Sequence, residues 1–272
     1  MQPCLAAPSR RAFVAQALAV ALAGCAGPGR LPAGAAAMLA PSGRLRASIN
    51  LGNPVLARRD PTTGEVAGVS VDLANALAQA LGVALDMRVV DSARVSVDSV
   101  AAGQADVGFF AIDPERAAGI RFSAAYLLIE GAYLVRQASP LTDNAQVDRA
   151  GTRIMVGRGS AYDLYLGRAL KAAELVRAPT SPVVVDEFLK QAADVAAGVK
   201  QQLEADAARL GGLRLLPGRF MVIEQAMGLP ATRGDAALDA LKAFVEDAKR
   251  SGLVARALER HAIKGAVVAP AG

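Results

Sequence analysis

Apolar residues recur along the chain at two spacings, one typical of buried strands and one typical of helices. Strand-like runs occupy 44–49, 84–90 and 105–112, and helical spacing occupies 71–81 and 94–102. In the first of these helices Leu73, Leu77 and Leu81 lie four residues apart on one face, and Gly82 ends the run. Strands that alternate with helices predict parallel βαβ units with helices covering the sheet.

A second, smaller set of alternating segments follows the strand-like segment 132–136 and a polar linker. It comprises a predicted strand at 153–157, a helix over 161–174, a strand near 183–185 and a helix from Asp186. The pattern then becomes a long helix capped by Asp235, with Leu238 and Leu241 on one face. Two such sets predict two lobes, with residues 44–136 plus 226–265 in lobe 1 and residues 137–225 in lobe 2.

The amino terminus has the pattern of an export signal. Arg10 and Arg11 precede an apolar run that is too short to span a bilayer and has the proportions of a secretory leader. The run ends in LAGC (22–25), which resembles a bacterial lipobox, whose cysteine becomes lipidated after cleavage. We therefore predict a lipoprotein-type signal peptide at 1–25, with Cys25 as the lipidation site, and a flexible tether at 26–43.

An ordinary leader, cleaved near residues 35–37 and discarding Cys25, is the alternative interpretation. Either route predicts a periplasmic protein of the bacterial cell envelope, and the lipobox predicts that it is anchored to the membrane. The residues SRRAF (9–13) also resemble a twin-arginine signal, so the export pathway stays open.

Composition narrows the classes of function for the 272-residue chain. Apolar residues make up 53%, which excludes disorder as a global description. The formal charge of +5 falls to +3 once Arg10 and Arg11 are removed with the leader, and the basic residues are scattered, so a nucleic-acid partner is not expected. Cys4 and Cys25 are the two cysteines, and no His/Cys cluster exists, so the sequence predicts no metal site and no cofactor.

Five groups of residues carry a family resemblance, in order, along 44–262. They are GVSVDLA (68–74) with LGV (81–83), AGQAD (102–106), PER (114–116) with RFS (121–123) and Tyr126, GS (159–160), and SGL (251–253). This order resembles the family 3 extracellular solute-binding proteins of ABC importers, of the polar amino-acid-binding type. The resemblance implies an α/β, periplasmic-binding-protein-like fold, in which two α/β lobes are joined by two crossovers, with a hinge and an interlobe cleft.

The same resemblance implies a function without chemistry. A monomeric receptor would capture a small polar or carboxylate-bearing solute by hinge closure and deliver it to the transmembrane subunits of an ABC permease. General physics predicts the same site, because ligands of open parallel sheets sit at the carboxyl ends of the strands. Those ends lie here at 50–53, 110–113 and 156–160.

Arg116 is the main candidate for binding the solute. Asp113 suits a helix N-cap, and Pro114 suits the first helical position, so a helix should begin where the strand ends. Arg116 then lies in the first turn and points back toward the strand end. In the resembled family an arginine at this place grips the solute's carboxylate with a planar, two-pronged contact. A surface ion pair with Asp113 or Glu115 is the alternative.

Further candidates lie at the same strand ends. Asn50 and Asn53 can offer polar contacts or simply form turns. Arg158, Gly159 and Ser160 are candidates because they open a helix whose free N–H groups can take an anion, or they form a plain turn with Ser160 as N-cap.

The sequence departs from the resembled family at several pocket positions. Ala111 and Asp113 stand where hydroxyl residues help to hold the carboxylate, and Val199 stands where an acid receives the ammonium. These departures imply that the solute is not a standard α-amino acid. It would be a small carboxylate without an amino group, or a neutral or cationic compound read by Asp113.

Two other functions compete with transport. The fold also resembles that of periplasmic cyclohexadienyl dehydratases, and an enzyme of that type would need a general acid or base, for which Asp113 and Glu224 are the candidates. A ligand-sensing periplasmic partner protein is the other alternative. We expect no enzymatic activity, since no Ser-His-Asp arrangement is evident and the single His261 lies far along the chain.

Overall fold

The computed structural model describes Met1 and residues 31–272. Its strands are β1 (Arg44–Asn50), β2 (Arg58–Arg59), β3 (Val66–Ala67), β4 (Ala84–Val90), β5 (Val107–Ala111), β6 (Ile120–Arg136), β7 (Arg153–Gly157), β8 (Glu174–Ala178), β9 (Val195–Val199), β10 (Leu213–Leu215), β11 (Met221–Pro230) and β12 (Val267–Val268). Its α-helices are α1 (Ala35–Leu39), α2 (Val69–Leu81), α3 (Ala93–Ala101), α4 (Ala161–Ala169), α5 (Val184–Lys190), α6 (Lys200–Leu210), α7 (Asp235–Arg250) and α8 (Leu253–Arg260). No helix in this described part of the chain is both long and apolar enough to cross a membrane.

Two groups of parallel strands, one in each lobe, are joined through long antiparallel strands. In one group β1 pairs in parallel with β4 and β5, and in the other β7 pairs in parallel with β8 and β9. The 17-residue β6 pairs with β11 along its length, and its distal part pairs with β9. The strand order is β4-β1-β5-β11-β6-β9-β7-β8. Strands β6 and β11 are therefore the two crossovers that connect the lobes, as predicted.

The packing of each lobe follows from the alternation of its strands. Met155 and Ala196 of lobe 2, with Leu134 of the crossover β6, face a small core that also contains Phe188 of α5, while neighbouring strand residues such as Ile154 belong to the larger core. In lobe 1, the helix face predicted from the spacing of leucines is buried against β1 and β4. Helices thus cover both faces of the strands, which leaves the strand ends as the open edges.

Two predictions in lobe 2 were wrong at the level of elements. The helix predicted over 161–174 ends at Ala169, and Glu174 is already the first residue of the edge strand β8. Residues 183–185, predicted as a strand, lie in helical structure. A 3-10 turn that contains Pro182 ends at Val183, and α5 begins at Val184. Val184, Val185 and Phe188 are buried at helical spacing, so the β-branched residues pack from a helix and not from a strand.

Part of the segment predicted as a tether at 26–43 is folded. Residues 35–39 form α1, which buries Ala35 and Leu39 and packs against α7. Arg233 fixes this helix by donating to the carbonyl oxygen of Met38 at 2.9 Å and to the Asp106 carboxylate at 2.7 Å. Order therefore begins before Arg44, while Cys25 lies outside the described residues.

Candidate functional site

A small cavity lies between the lobes at the carboxyl ends of β1, β5 and β7. Its volume is about 40 Å³, and both lobes and the β11 crossover contribute to its lining. The lining residues include Asn50, Gly52, Asn53, Leu56, Phe109, Phe110, Ala111, Arg116, Ser160, Ala161, Tyr162, Ser181, Val199, Ile223 and Gln225. The structure therefore brings five of the predicted site residues together: Asn50, Asn53, Ala111, Arg116 and Ser160.

Arg116 reaches from lobe 1 toward lobe 2 at this cavity. The Asp113 carboxylate accepts a hydrogen bond from the Glu115 N–H at 2.9 Å, and a short 3-10 helix, Arg116–Ala118, follows in place of the predicted α-helix. Arg116 Nη1 donates to the carbonyl oxygen of Ala111 at 3.1 Å, and Nη2 donates to the carbonyl oxygen of Gly159 at 2.9 Å. Its guanidinium therefore turns back over the end of β5, as expected, and contacts the opposite lobe.

The positive charge of Arg116 is almost fully withdrawn from water. The residue is 5% exposed. Burial lowers the pKa of its guanidinium to about 10, while the nearby carboxylates of Asp113 and Glu115 act in the opposite direction. The group still carries its charge at neutral pH, and its direct partners are carbonyl oxygens. A buried cation with neutral partners favours an anion in the adjoining space.

Asp113 does not line the cavity, contrary to its expected place beside the solute. Its carboxylate accepts a hydrogen bond from Arg168 Nη2 at 2.6 Å, and Arg168 belongs to α4 of the other lobe. The pair is asymmetric, because 6% of the Asp113 side chain and 46% of the Arg168 side chain are exposed. Asp113 therefore joins the lobes directly, and its charge is directed away from the cavity.

Asn50, Asn53 and Ser160 combine local structural roles with a place in the cavity wall. The side-chain oxygens of Asn50 and Asn53 accept hydrogen bonds from the N–H groups of Gly52 at 2.8 Å and Val55 at 3.2 Å. The Ser160 hydroxyl accepts from the Asp163 N–H at 3.1 Å and caps α4. These residues therefore form turns or a helix cap, and they also line the cavity.

Arg158 and Gly159 lie outside the inner cavity, in a groove of about 570 Å³ at the mouth of the cleft. Arg158 is exposed there. The Gly159 N–H, expected to be free for an anion, donates to the Asp163 carboxylate at 2.8 Å. Gly159 has a φ of +69°, and a Cβ at this position would lie 3.0 Å from the Arg94 Cβ of lobe 1. Glycine is therefore required where the two lobes approach each other.

Several cavity residues were not predicted from the sequence. Gln225 is buried in β11, and its only signal was a polar residue within a largely apolar crossover. Tyr162 was interpreted as a packing residue, yet it lines the cavity, and burial raises the pKa of its hydroxyl so that it stays protonated. Ser181 comes from the 3-10 turn before α5, two residues ahead of the strand that was predicted near 183–185.

Neither candidate for acid–base chemistry lies in the cavity wall. Asp113 pairs with Arg168, and Glu224 is exposed on β11. His261, the single histidine, lies at the end of α8, where it contacts Asp72 at 3.0 Å. Within residues 31–272, no three His, Cys, Asp or Glu side chains come together in a way that could hold a metal ion.

Solved structures share this architecture at low sequence identity. A solute receptor for L-cysteine from Neisseria gonorrhoeae superposes with a TM-score of 0.72 at 20% identity, covering 85% of this chain and 94% of the other. An amino acid ABC transporter substrate-binding protein from Streptococcus pneumoniae, bound to L-arginine, superposes with a TM-score of 0.71 at 18% identity, covering 82% and 96%. These likenesses confirm the periplasmic-binding-protein-like, two-lobe fold.

A reconstructed protein has the same fold. It is an ancestral amino-acid-binding protein described as a precursor of cyclohexadienyl dehydratase, with a TM-score of 0.68 at 18% identity, covering 81% of this chain and 95% of the other. No curated protein sequence matches the chain at a significant level. The family model of bacterial extracellular solute-binding proteins, family 3, matches residues 49–263. The match spans both lobes and both crossovers, and the chain therefore belongs to family 3 of the bacterial extracellular solute-binding proteins.

Proposed function

We propose that the chain is the solute-binding component of an ABC importer and captures a small, carboxylate-bearing solute between its lobes. The observation that carries this proposal is Arg116, a buried cation at the wall of the interlobe cavity whose direct partners are carbonyl oxygens. An incoming carboxylate would supply the missing counter-charge and could bind in two-pronged fashion. Structures of the same fold bind L-cysteine and L-arginine, which agrees with capture of a small solute.

Closure of the lobes is the step that makes the capture selective. Arg116 and Asp113 both contact lobe 2, at Gly159 and Arg168. When the lobes approach, water leaves the cleft, and a charge-assisted hydrogen bond inside it becomes stronger than the same contact in water. Opening at the crossovers β6 and β11 would return the solute to water and allow delivery to the permease.

The experiment that tests this function replaces the cation with a neutral, polar side chain. We expect Arg116→Gln to weaken solute binding by about 100-fold or more, because charge-assisted hydrogen bonds are worth about 1.5–3 kcal/mol each. Calorimetric screening of small carboxylates against wild type supplies the solute, and the same titration is repeated on the variant. Arg158→Gln is the matched control, since Arg158 is exposed in the outer groove, and it should keep near wild-type affinity. Equal affinity of Arg116→Gln and wild type would reject the assignment.

The remaining features of the proposal concern place and partners. We infer export to the periplasm, lipidation at Cys25, action as a monomer and contact with the transmembrane subunits of the permease. Mass spectrometry of the mature amino terminus tests the lipidation. The dehydratase alternative requires a general acid or base at the solute. The two carboxylates considered for that role lie elsewhere, so the geometry favours binding without chemistry.

A further inference from the structure

We propose that the solute is a compact monocarboxylate without an ammonium group, of the kind represented by short 2-oxo acids. This proposal rests on the proposed function of the same site and names its substrate class. It departs from the amino acids bound in the structures of like fold.

The charges around the cavity favour an anionic ligand. Among the described residues that line it, Arg116 is the one ionised side chain, and the others are apolar or neutral and polar. The neighbouring carboxylates are engaged elsewhere, Asp113 with Arg168 and Asp163 with Arg177 at 2.9 Å. A bound carboxylate would therefore meet a cation, whereas a bound ammonium would be buried without an anion, which is strongly unfavourable.

The neutral polar residues of the cavity wall suit a carbonyl or hydroxyl oxygen on the ligand. Asn50, Asn53 and Gln225, which carry amide groups, and Tyr162, which carries a hydroxyl, are among the residues that line the cavity. Amide and hydroxyl groups can hydrogen bond a carbonyl or hydroxyl oxygen without requiring a charge on the ligand. A 2-oxo or 2-hydroxy group beside the carboxylate therefore fits this wall, while an ammonium in the same place lacks a counter-ion.

The size of the cavity favours a ligand with a short chain. The cavity of about 40 Å³ offers room for only a few water-sized groups. Leu56, Val199 and Ile223 supply apolar surface for a short hydrocarbon tail. The long cationic side chain of L-arginine has no comparable space or acidic partner here, so a short-chain acid is the better fit.

The test compares ligands that differ only in the group at the second carbon. Isothermal titration of the wild-type protein is carried out with pyruvate against L-alanine, and with 3-methyl-2-oxobutanoate against L-valine. We expect the oxo acid of at least one pair to bind about 100-fold more tightly than its amino acid, the scale expected for burying an unpaired charge. Equal or tighter binding of the amino acids would overturn this inference and leave the proposed function standing. Failure of all four ligands at millimolar concentration would overturn this inference, whereas the proposed function is tested separately by the screen of small carboxylates on wild type and Arg116→Gln.

A substitution at the cavity wall provides an independent test of the solute class. Val199 lines the cavity and is the N-cap of α6 without a side-chain cap, so Asp or Asn at this position suits the fold. We expect Val199→Asp to gain binding of L-alanine and to lose pyruvate, each by about tenfold or more, since a carboxylate attracts the ammonium and repels the oxo acid. Val199→Asn is the neutral control of nearly equal size. The same gain in both variants, or retained pyruvate binding without a gain of L-alanine in Val199→Asp, would overturn the inference.

Discussion

Arg116, the residue proposed to bind the solute, carries a buried charge that is a cost to the folded protein. Its guanidinium is held by two carbonyl oxygens, one from each lobe, and among residues 31–272 no carboxylate contacts it directly. Burial lowers its pKa to about 10, below its usual value, which means that the folded state disfavours the charged form. The unfolded chain therefore holds the proton more tightly, and the contribution of this group to stability rises with pH above about 10. At pH 7 the guanidinium is charged in both states, and the full cost of its burial is present.

Arg116→Met tests whether the guanidinium serves the solute or the fold. The variant leaves two carbonyl oxygens without their donor, which destabilises the fold, but it also removes the larger cost of a buried charge. We expect the free energy of unfolding at pH 7, measured in urea without solute, to stay equal to wild type or rise by about 1 kcal/mol. A loss of more than about 2 kcal/mol would mean that Arg116 is chiefly a structural tie between the lobes, comparable to a broken buried contact.

The sequence predicted the direction of Arg116 but not its partners. An acid and a proline after an apolar strand indicate a turn that begins at once, so an arginine three residues later must point back toward the strand end. The contact of Asp113 with Arg168 was not predictable, because the two residues are 55 positions apart and meet only when the lobes approach. Gln225 was missed for the same reason, since its place in the wall depends on the register of β11.

At the scale of elements, α1 shows how a segment of low complexity can still be structural. Its sequence AAAML has two large apolar side chains, Met38, which is partly buried, and Leu39, which is 1% exposed. The helix packs on α7, and Arg233 connects it to the carboxylate of Asp106. Composition alone indicated a tether, because alanine-rich residues between Gly and Pro lack periodicity over so short a length.

Leu39→Ala tests whether α1 belongs to the folded lobe. We expect the free energy of unfolding to fall by about 2–4 kcal/mol, the usual range for a fully buried leucine truncated to alanine. Ala37→Ser, at an exposed position of the same helix, is the control and should change stability by less than about 0.5 kcal/mol. Urea unfolding of both variants gives the comparison. Similar small effects in the two would show that α1 contributes nothing beyond the tether first expected.

Elements with strong periodicity were predicted well, and those set by tertiary contacts were not. The helix with leucines four residues apart is α2, and the apolar runs are β1, β4, β5 and β7. The edge strand β8 was not predicted, because its residues lack an alternating pattern and pair along one side only. The start of α5 was assigned to a strand, since three consecutive valines favour strands locally while packing in lobe 2 selects the helix.

At the scale of the whole molecule, the two lobes are held together by covalent crossovers and by direct side-chain contacts. Strands β6 and β11 form the covalent connection, and the two lobes could be predicted because each repeats a βαβ pattern in the sequence. The Asp113–Arg168 pair and the Arg116–Gly159 contact lie on the cleft side. A closed arrangement stabilised by the protein's own residues raises the population that is competent to hold the solute.

The Asp113–Arg168 pair can be separated from the binding site itself, because neither residue lines the inner cavity. We expect Asp113→Asn and Arg168→Gln each to weaken solute affinity by about 3–10-fold, as the competent fraction falls. The exposure of Arg168 keeps the effect modest, since solvent screens partly exposed pairs. Arg177→Gln is the control, because Arg177 forms an ion pair of similar exposure with Asp163 inside lobe 2.

The double variant decides whether this pair acts as a latch between the lobes. If it does, Asp113→Asn and Arg168→Gln together should weaken affinity no more than either change alone, since both break one contact. Fluorescence energy transfer between dyes on cysteines introduced at the exposed Thr63 of lobe 1 and Lys190 of lobe 2 should report a shift toward open molecules. That shift should be absent in Arg177→Gln. Additive losses of affinity with an unchanged distance distribution would mean that the pair acts locally, and that closure depends on the solute alone.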